Sequence, residues 1–276
     1  QEKLEGKEAE LRSFASRLNF EVETPAPEDL NRQTIIHQLP LACGYVIQTR
    51  EGKIIVIDGG WANLDSDNLF AYLQKVTGDS TPHVDAWFLT HPHTDHYGAL
   101  VGIANNYASQ ITVDTFYHRM PTTAEINKYF YNDEPDTIIG GCSKVYNAVK
   151  KLKNSQGGST ASVSLNTVHS GKCNSSFDFD DVHIDILMTV EDVFWGCDNI
   201  TTKYSGTKET ASANYTNETI AQLTADNLNN SSVVFRVTMG GKTILFMGDA
   251  AQSAGYLPVN LEKLGADFIA MPGHKG

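Results

Sequence analysis

The four cysteines, Cys43, Cys142, Cys173 and Cys197, include no C-x-x-C pair, which argues against a zinc site built on thiolates. No apolar run approaches the ~20 residues that span a bilayer, so nothing in the chain reads as a membrane span. There is no G-x-S-x-G string, the elbow that presents a serine nucleophile. Positive charge is scarce: 21 Lys and Arg stand against 33 Asp and Glu, a formal balance of −12. A surface that negative repels phosphate backbones and disfavours nucleic acid unless cations cluster locally. The opening QEKLEGKEAELRSF has neither an initiator Met nor the basic and apolar regions of a signal peptide, as a mature or trimmed chain would. The closing MPGHKG reads as a strand entering a loop, so more chain is expected to follow Gly276. What is present is ordinary. Hydrophobic residues make up 41% and charged residues 20% of 276, a globular composition of a size that suits one large α/β or sandwich domain.

Hydrophobic spacing orders the chain. Leu4, Leu11, Phe14, Ala15 and Leu18 recur at roughly helical intervals and predict an N-terminal helical extension within residues 1–33. Strands follow at 34–39, 44–49 and 53–60, the last two joined into a hairpin by a turn at 50–53. A helix is expected over 66–76. VDAWFLT at 84–90 is apolar almost throughout and reads as a strand buried on both faces. Next come a helix over 95–107, a strand over 111–118 and a helix over 142–154. Strands are expected at 182–188, 232–239 and 242–248, the last two linked by a turn at 240–242. A helix over 251–264 and a strand at 267–271 complete the series. Hairpins mixed with strand–helix–strand units predict two mixed sheets packed together with helices outside, one α/β domain over 34–276. The polar stretch 189–231 shows no period and is expected to be a lid or an excursion. Residues 159–232 are rich in Ser, Thr and Asn, with several Asn-x-Ser/Thr triplets. This suits an exported protein, extracellular or at the cell surface, and would allow a Cys173–Cys197 bridge.

The most informative string is LTHPHTDHYGAL, which follows the buried strand directly and gathers His91, His93, Asp95 and His96 within six residues. Such groups are costly to bury unless paired or bound to metal. His91 and His93 are two apart, so an extended backbone points both toward one ion. Asp95 and His96 lie where the chain turns into a helix and can diverge toward a second ion. Imidazole with carboxylate suits Zn and also Mn or Fe. The bland alternative is a histidine-rich loop with Asp95 capping the helix. Asp249 in TILFMGDA and His274 in DFIAMPGHKG also follow strands directly. Alone, Asp249 would pass as a helix cap and His274 as a loop residue.

Together these residues resemble the metallo-β-lactamase superfamily of metallohydrolases, whose H-x-H-x-D-H motif stands here as His91, His93, Asp95 and His96. The resemblance runs from about residue 34 to the end. It implies a four-layer αββα sandwich of two mixed sheets with outer helices. It implies two divalent ions, Zn first and Mn or Fe next, held by His91, His93, Asp95, His96, Asp249 and His274. Asp249 would bridge the ions and His274 would sit on the second. Asp58 in IDGG (57–60) would brace the metal loops through backbone hydrogen bonds. A metal-held hydroxide would attack the substrate, with Asp95 as the catalytic group that orients it and shuttles a proton. NSSVVFRVTMGGKTILFMGDA (230–250) is most similar to the branch holding the teichoic-acid phosphorylcholine esterases and the hydrolase-like domain of bacterial DNA-uptake proteins. The third histidine that the family places on the first metal has no counterpart in NLNNSS (227–232). Asn229 or Asn230 stands nearest, and His169 is a distant spare.

His118 and Arg119 end the strand over 111–118, at the edge where the metal loops should gather, and could meet a phosphoryl oxygen. Tyr97 and Trp61 could line the mouth, where rings would cage a choline group. His37, His83 and His183 fit surface or core-edge roles. The expected function is metal-dependent hydrolysis of a phosphodiester or phosphorylcholine-type ester, on a small-molecule or cell-wall-type substrate. A nuclease resembling the DNA-uptake domain is an alternative that the charge of −12 weighs against. A metal-binding module without catalysis is another, suggested by the missing third histidine.

Overall fold

The computed structural model describes residues 33–39, 43–63, 65–130, 135–155, 162–171, 173–192, 228–250 and 266–270. The chain divides between Gln33 and Thr34 into two units, and the fold below is that of the second. All but Gln33 of the expected extension, the helix over 251–264 and most of the 189–231 insertion lie outside the described residues.

The first sheet has the spatial order β1 (Ile35–Gln38), β2 (Gly44–Gln48), β3 (Ile54–Asp58), β4 (His83–Leu89), β5 (Thr112–His118) and β6 (Ser164–Thr167). Pairing is antiparallel from β1 to β3 and parallel from β3 to β6. The second sheet has the order β11 (Phe268–Ala270), β10 (Lys242–Phe246), β9 (Val234–Met239), β8 (Val182–Met188) and β7 (Ser176–Phe179), antiparallel except for β10 with β11. Helices α1 (Ser66–Thr77), α2 (Thr94–Asn106) and α4 (Pro135–Lys151) cover the outer face of the first sheet, with the short α3 (Thr123–Tyr129) beside them.

Each central strand of the first sheet serves two cores, because successive side chains point to opposite faces. Ile54, Val56, Trp87 and Leu89 meet Leu69, Leu73, Leu100, Ile103, Val145 and Val149 of the helices. Ile55, Ile57, Ala86 and Phe88 meet Ile184, Phe235 and Val237 of the second sheet. A strand sandwiched in this way has no solvent side, which is why 84–90 reads as an unbroken apolar run. The outer face of the second sheet carries Val234, Leu245, Met247 and Ala250. The architecture is α/β, two mixed sheets with helices outside.

Three elements went unforeseen. β6 and β7 each have four residues and lie at sheet edges; β6 is largely exposed, while β7 turns Phe177 and Phe179 toward the core between the sheets. α3 starts with a capping box between Thr122 and Glu125. α4 begins at Pro135 and not at 142, and Pro at a first helical position is favourable. The Gly140–Gly141 pair hid its first turns, yet a Cβ on Gly141 would sit only 3.4 Å from the Tyr97 hydroxyl. Cys173 is exposed and in no disulfide among the described residues; Cys197, its expected partner, lies outside them.

The parallel pairing of β3 with β4 brings their carboxyl ends, Asp58 and Thr90, to one edge. β2 runs the other way, so its first residue, Gly44, pairs with Asp58, and Cys43 arrives at that same edge. α2 is pressed onto the loop after β3 by two glycines one turn apart. A Cβ on Gly98 would lie 2.4 Å from Ala62 N, and one on Gly102 would lie 2.5 Å from Ser66 Cβ. The Ala99 N–H donates to Gly60 O at 2.8 Å, fixing the helix start that carries Asp95 and His96.

Candidate metal centre

Asp58 closes β3 with φ at +56°, a left-handed conformation that costs a non-glycine residue about 1–2 kcal/mol. Its carbonyl accepts the Trp87 indole N–H at 2.9 Å, Oδ1 accepts the Thr90 backbone N–H at 2.8 Å, and Oδ2 accepts the Thr90 hydroxyl at 2.8 Å. The same Oδ2 lies 2.9 Å from His96 Nδ1. The buried carboxylate thus holds both the backbone of the metal loop and one of its rings.

The Thr90 hydroxyl proton is committed to Asp58, so its oxygen is left to accept from His91 Nδ1 at 3.1 Å. Ser232 Oγ lies 3.2 Å from that same nitrogen and accepts the Asp249 backbone N–H at 3.1 Å. The Val233 N–H donates to Thr90 O at 2.8 Å, tying the two sheets together here. With both Nδ1 atoms engaged, His91 and His96 present Nε2 inward as metal ligands do. His91 Nε2 lies 2.9 Å from His93 Nδ1 and 3.7 Å from Asp249 Oδ2. His96 Nε2 lies 3.2 Å from Asp249 Oδ1 and 4.0 Å from Asp95 Oδ2. The Cys43 thiol faces Asp95 Oδ2 at 3.9 Å.

These atoms fall into two groups whose members lie within 4.8 Å of one another, His91–His93–Asp249 and Cys43–Asp95–His96. Asp249 faces a histidine of each. The His96 side chain is 1% exposed, and its Nε2 makes no hydrogen bond; the approach to Asp249 is an ion-pair contact without hydrogen-bond alignment. Leaving such an atom unsatisfied costs about 1–3 kcal/mol, and a cation at the centre would satisfy it. Burial works to lower the His96 pKa, but the Asp58 and Asp249 carboxylates outweigh it and hold the ring well above the ordinary imidazole value. The surroundings therefore favour positive charge, and nitrogen, oxygen and sulfur donors in this number suit a divalent ion such as Zn.

The other candidates are placed as follows. His274 lies outside the described residues. Tyr97 is buried in the helical core. Trp61, directly after IDGG, is 46% exposed. His118 is buried beside Tyr146, and its Nδ1 accepts the Met120 N–H at 3.2 Å. Burial, and then Arg119, push its pKa down to about 4. The buried Arg119 guanidinium donates to Glu125 at 2.7 and 3.3 Å, to Glu191 at 3.0 Å and to Met120 O at 3.1 Å, so most of its donors serve the fold. Asn229 and Asn230 are buried in a 3₁₀ turn, Leu228–Ser231. His169 pairs with Glu191 at 2.9 Å. His83 pairs with Asp114, His183 with Asp178 and Asp185, and the His37 ring meets Tyr72 edge-on.

Sequence reasoning missed Cys43, Thr90 and Ser232. Cys43 could have been found from the hairpin, because a turn at 50–53 sets position 43 beside 59. The two hydroxyls carry no pattern of their own.

Residues 44–156 match the family model of the metallo-beta-lactamase superfamily. That match supports the superfamily. It spans β2 to α4, the elements that carry Asp58 and the string His91 to His96. A second model, class-V aminotransferase, matches residues 196–276. The described part of that span, β9 to β11, shares a sheet with β7 and β8 and is no unit of its own. Similar solved structures include the metallo-beta-lactamase fold protein YhfI from Bacillus subtilis, at 13% identity, TM-score 0.37, covering 75% of this chain and 54% of that one. Others are the subclass B3 metallo-beta-lactamase BJP-1 of Bradyrhizobium japonicum (11%, TM-score 0.40, 78% and 59%) and Zn(2+)-bound PqqB from Methylobacterium extorquens (11%, TM-score 0.40, 83% and 56%). This chain thus spans little more than half the length of these structures. A comparison with curated proteins gives no match.

Proposed function

We propose that the protein is a metal-dependent hydrolase that cleaves a phosphodiester or phosphorylcholine-type ester. The observation that supports this is the position of Asp249, 3.7 Å from His91 Nε2 and 3.2 Å from His96 Nε2, between two groups of donors. His91, His93 and Asp249 would hold one divalent ion, and Asp95 and His96, with His274, a second. Divalent ions held there would lower the pKa of a water and polarise the substrate's phosphoryl oxygen. Asp95, at the start of α2, would take the proton of the attacking water and return it to the leaving group. The exposed Trp61 ring offers a face for a quaternary ammonium. The charge of −12 weighs against nucleic acid, and a small-molecule or cell-wall-type ester is the substrate proposed. The composition of 159–232 favours an extracellular or cell-surface setting, and residues 1–33 are taken as an extension to the hydrolase domain.

The test is metal analysis together with turnover of bis-p-nitrophenyl phosphate, p-nitrophenyl phosphorylcholine and single-stranded DNA. Metal and hydrolysis of one of the two chromogenic esters are expected, with turnover lost in His91→Ala and Asp249→Ala while circular dichroism is unchanged. Full turnover in either variant would overturn the reading. Cleavage of DNA alone would transfer it to a nuclease, and bound metal without turnover on any substrate would reduce it to a binding module.

A further inference from the structure

Cys43 is the one member of the centre that the histidine and aspartate strings do not foresee. It precedes β2, its carbonyl accepts the Gly59 N–H at 3.3 Å, and the β2–β3 register fixes it beside Asp58. Its thiol is buried, is in no disulfide, and shares a group with Asp95 and His96 whose ligand atoms all lie within 4.8 Å. The second, independent observation is His96 Nε2, on a side chain 1% exposed, which makes no hydrogen bond and faces the same space.

Distances decide between packing and ligation. Zinc bonds of about 2.3 Å to sulfur and about 2.1 Å to oxygen at a tetrahedral angle set the two ligand atoms about 3.6 Å apart. Cys43 Sγ and Asp95 Oδ2 lie 3.9 Å apart, a few tenths of an ångström wider. As a hydrogen bond, the same contact is weak.

We infer that Cys43 is a sulfur ligand of the second metal position, completing a Cys43–Asp95–His96 set that selects thiophilic ions. The inference rests on the metal-dependent reading above and deepens it. On binding, the S–H proton is released to solvent and a sulfur–metal bond forms. A thiolate favours Zn, Co or Cd over Mn or Mg, whereas oxygen donors alone would not discriminate in this way. One side chain just ahead of β2 thereby narrows the choice among Zn, Mn and Fe that the histidines and aspartates leave open.

The test uses the full chain loaded with zinc and, separately, with cobalt. Zinc absorption spectroscopy should show a sulfur shell at about 2.3 Å, and the cobalt form a thiolate-to-metal charge-transfer band. Both should disappear in Cys43→Ser, with zinc affinity falling by more than the roughly 10–100-fold that changes outside the ligand shell produce. Cys43→Asp should shift the metal preference toward Mn, a second readout should Cys43→Ser fold poorly. Metal bound without a sulfur shell, or a shell that survives in Cys43→Ser, overturns the inference and leaves the hydrolase reading standing. A chain that binds no zinc and no cobalt overturns both.

Discussion

Asp58 Oδ2 lies 2.9 Å from His96 Nδ1 while the same carboxylate holds the Thr90 backbone and hydroxyl. A residue in a left-handed conformation at the end of β3 thus sets both the ring orientation of His96 and the course of the loop that carries His91. Asn tolerates that conformation but carries no charge and accepts through only one oxygen. Asp58→Asn is expected to fold and to bind zinc about 10–100-fold more weakly, as read by competition with a chromophoric chelator. Unchanged affinity would remove Asp58 from the centre.

Ser232 joins the sheets by accepting the Asp249 N–H and meeting His91 Nδ1. Ser232→Ala leaves that buried N–H without its acceptor, at a cost of about 1–3 kcal/mol. Urea denaturation should show this loss with an unchanged m-value, and zinc should bind more weakly because His91 has lost one hold. A melt identical to wild type would mean that the hydroxyl serves neither partner.

His118 predicts a pH dependence. Burial, helped by the charge of Arg119, pushes its pKa down to about 4, whereas an unfolded chain takes up the proton near pH 6.5. Between those values the unfolded state binds more protons, so stability rises with pH across the window. It is fully present above about pH 6.5 and lost as the pH falls to about 4, by roughly 3 kcal/mol in all. His118→Gln, which keeps an acceptor within reach of the Met120 N–H, should flatten that slope by the same amount. Equal slopes in the two proteins would contradict it.

Arg119 sits between Glu125 and Glu191. Removing one partner of a buried ion pair strands the other, and both carboxylates here are partly exposed, which softens the penalty. Arg119→Met should cost about 2 kcal/mol, and Arg119→Lys a good part of it, because an ammonium does not reproduce the two-pronged contact. Should Arg119→Met retain full stability yet raise KM alone, the guanidinium would be a substrate contact instead of a clamp.

Legibility followed from whether a residue's neighbours lie along the chain or across it. The strand over 84–90 and the cluster from His91 to His96 are local, and a sandwiched strand followed by four polar donors has few other readings. Asp249 alone reads as a helix cap, and became legible as a metal residue only through the family resemblance; it stands three residues past the end of β10. Cys43 shows no ligand spacing along the sequence, because its proximity to Asp95 arises across three strands, through the β2–β3 hairpin and the β3–β4 pairing that brings the start of α2 to the same edge. Thr90 and Ser232 act through hydroxyls whose value depends on a sheet-to-sheet contact that no periodicity encodes. β6 is short and largely exposed, so its composition matches a loop; β7 alternates Phe with polar residues but has only four residues in all, and the paired glycines disguise the first turns of α4.

The Val233-to-Thr90 hydrogen bond and the Asp249 approach to His91 and His96 make a polar seam between the layers at this edge, while at the other end of β3 Thr49 and Lys53 tie the first layer to Asp180 of the second. An ion held at the seam would act as a rivet, joining His91, His93, Asp95 and His96 of one layer to Asp249 of the other. Its removal would let the layers part first at this edge, so that a chelated protein would loosen there well before its core gives way.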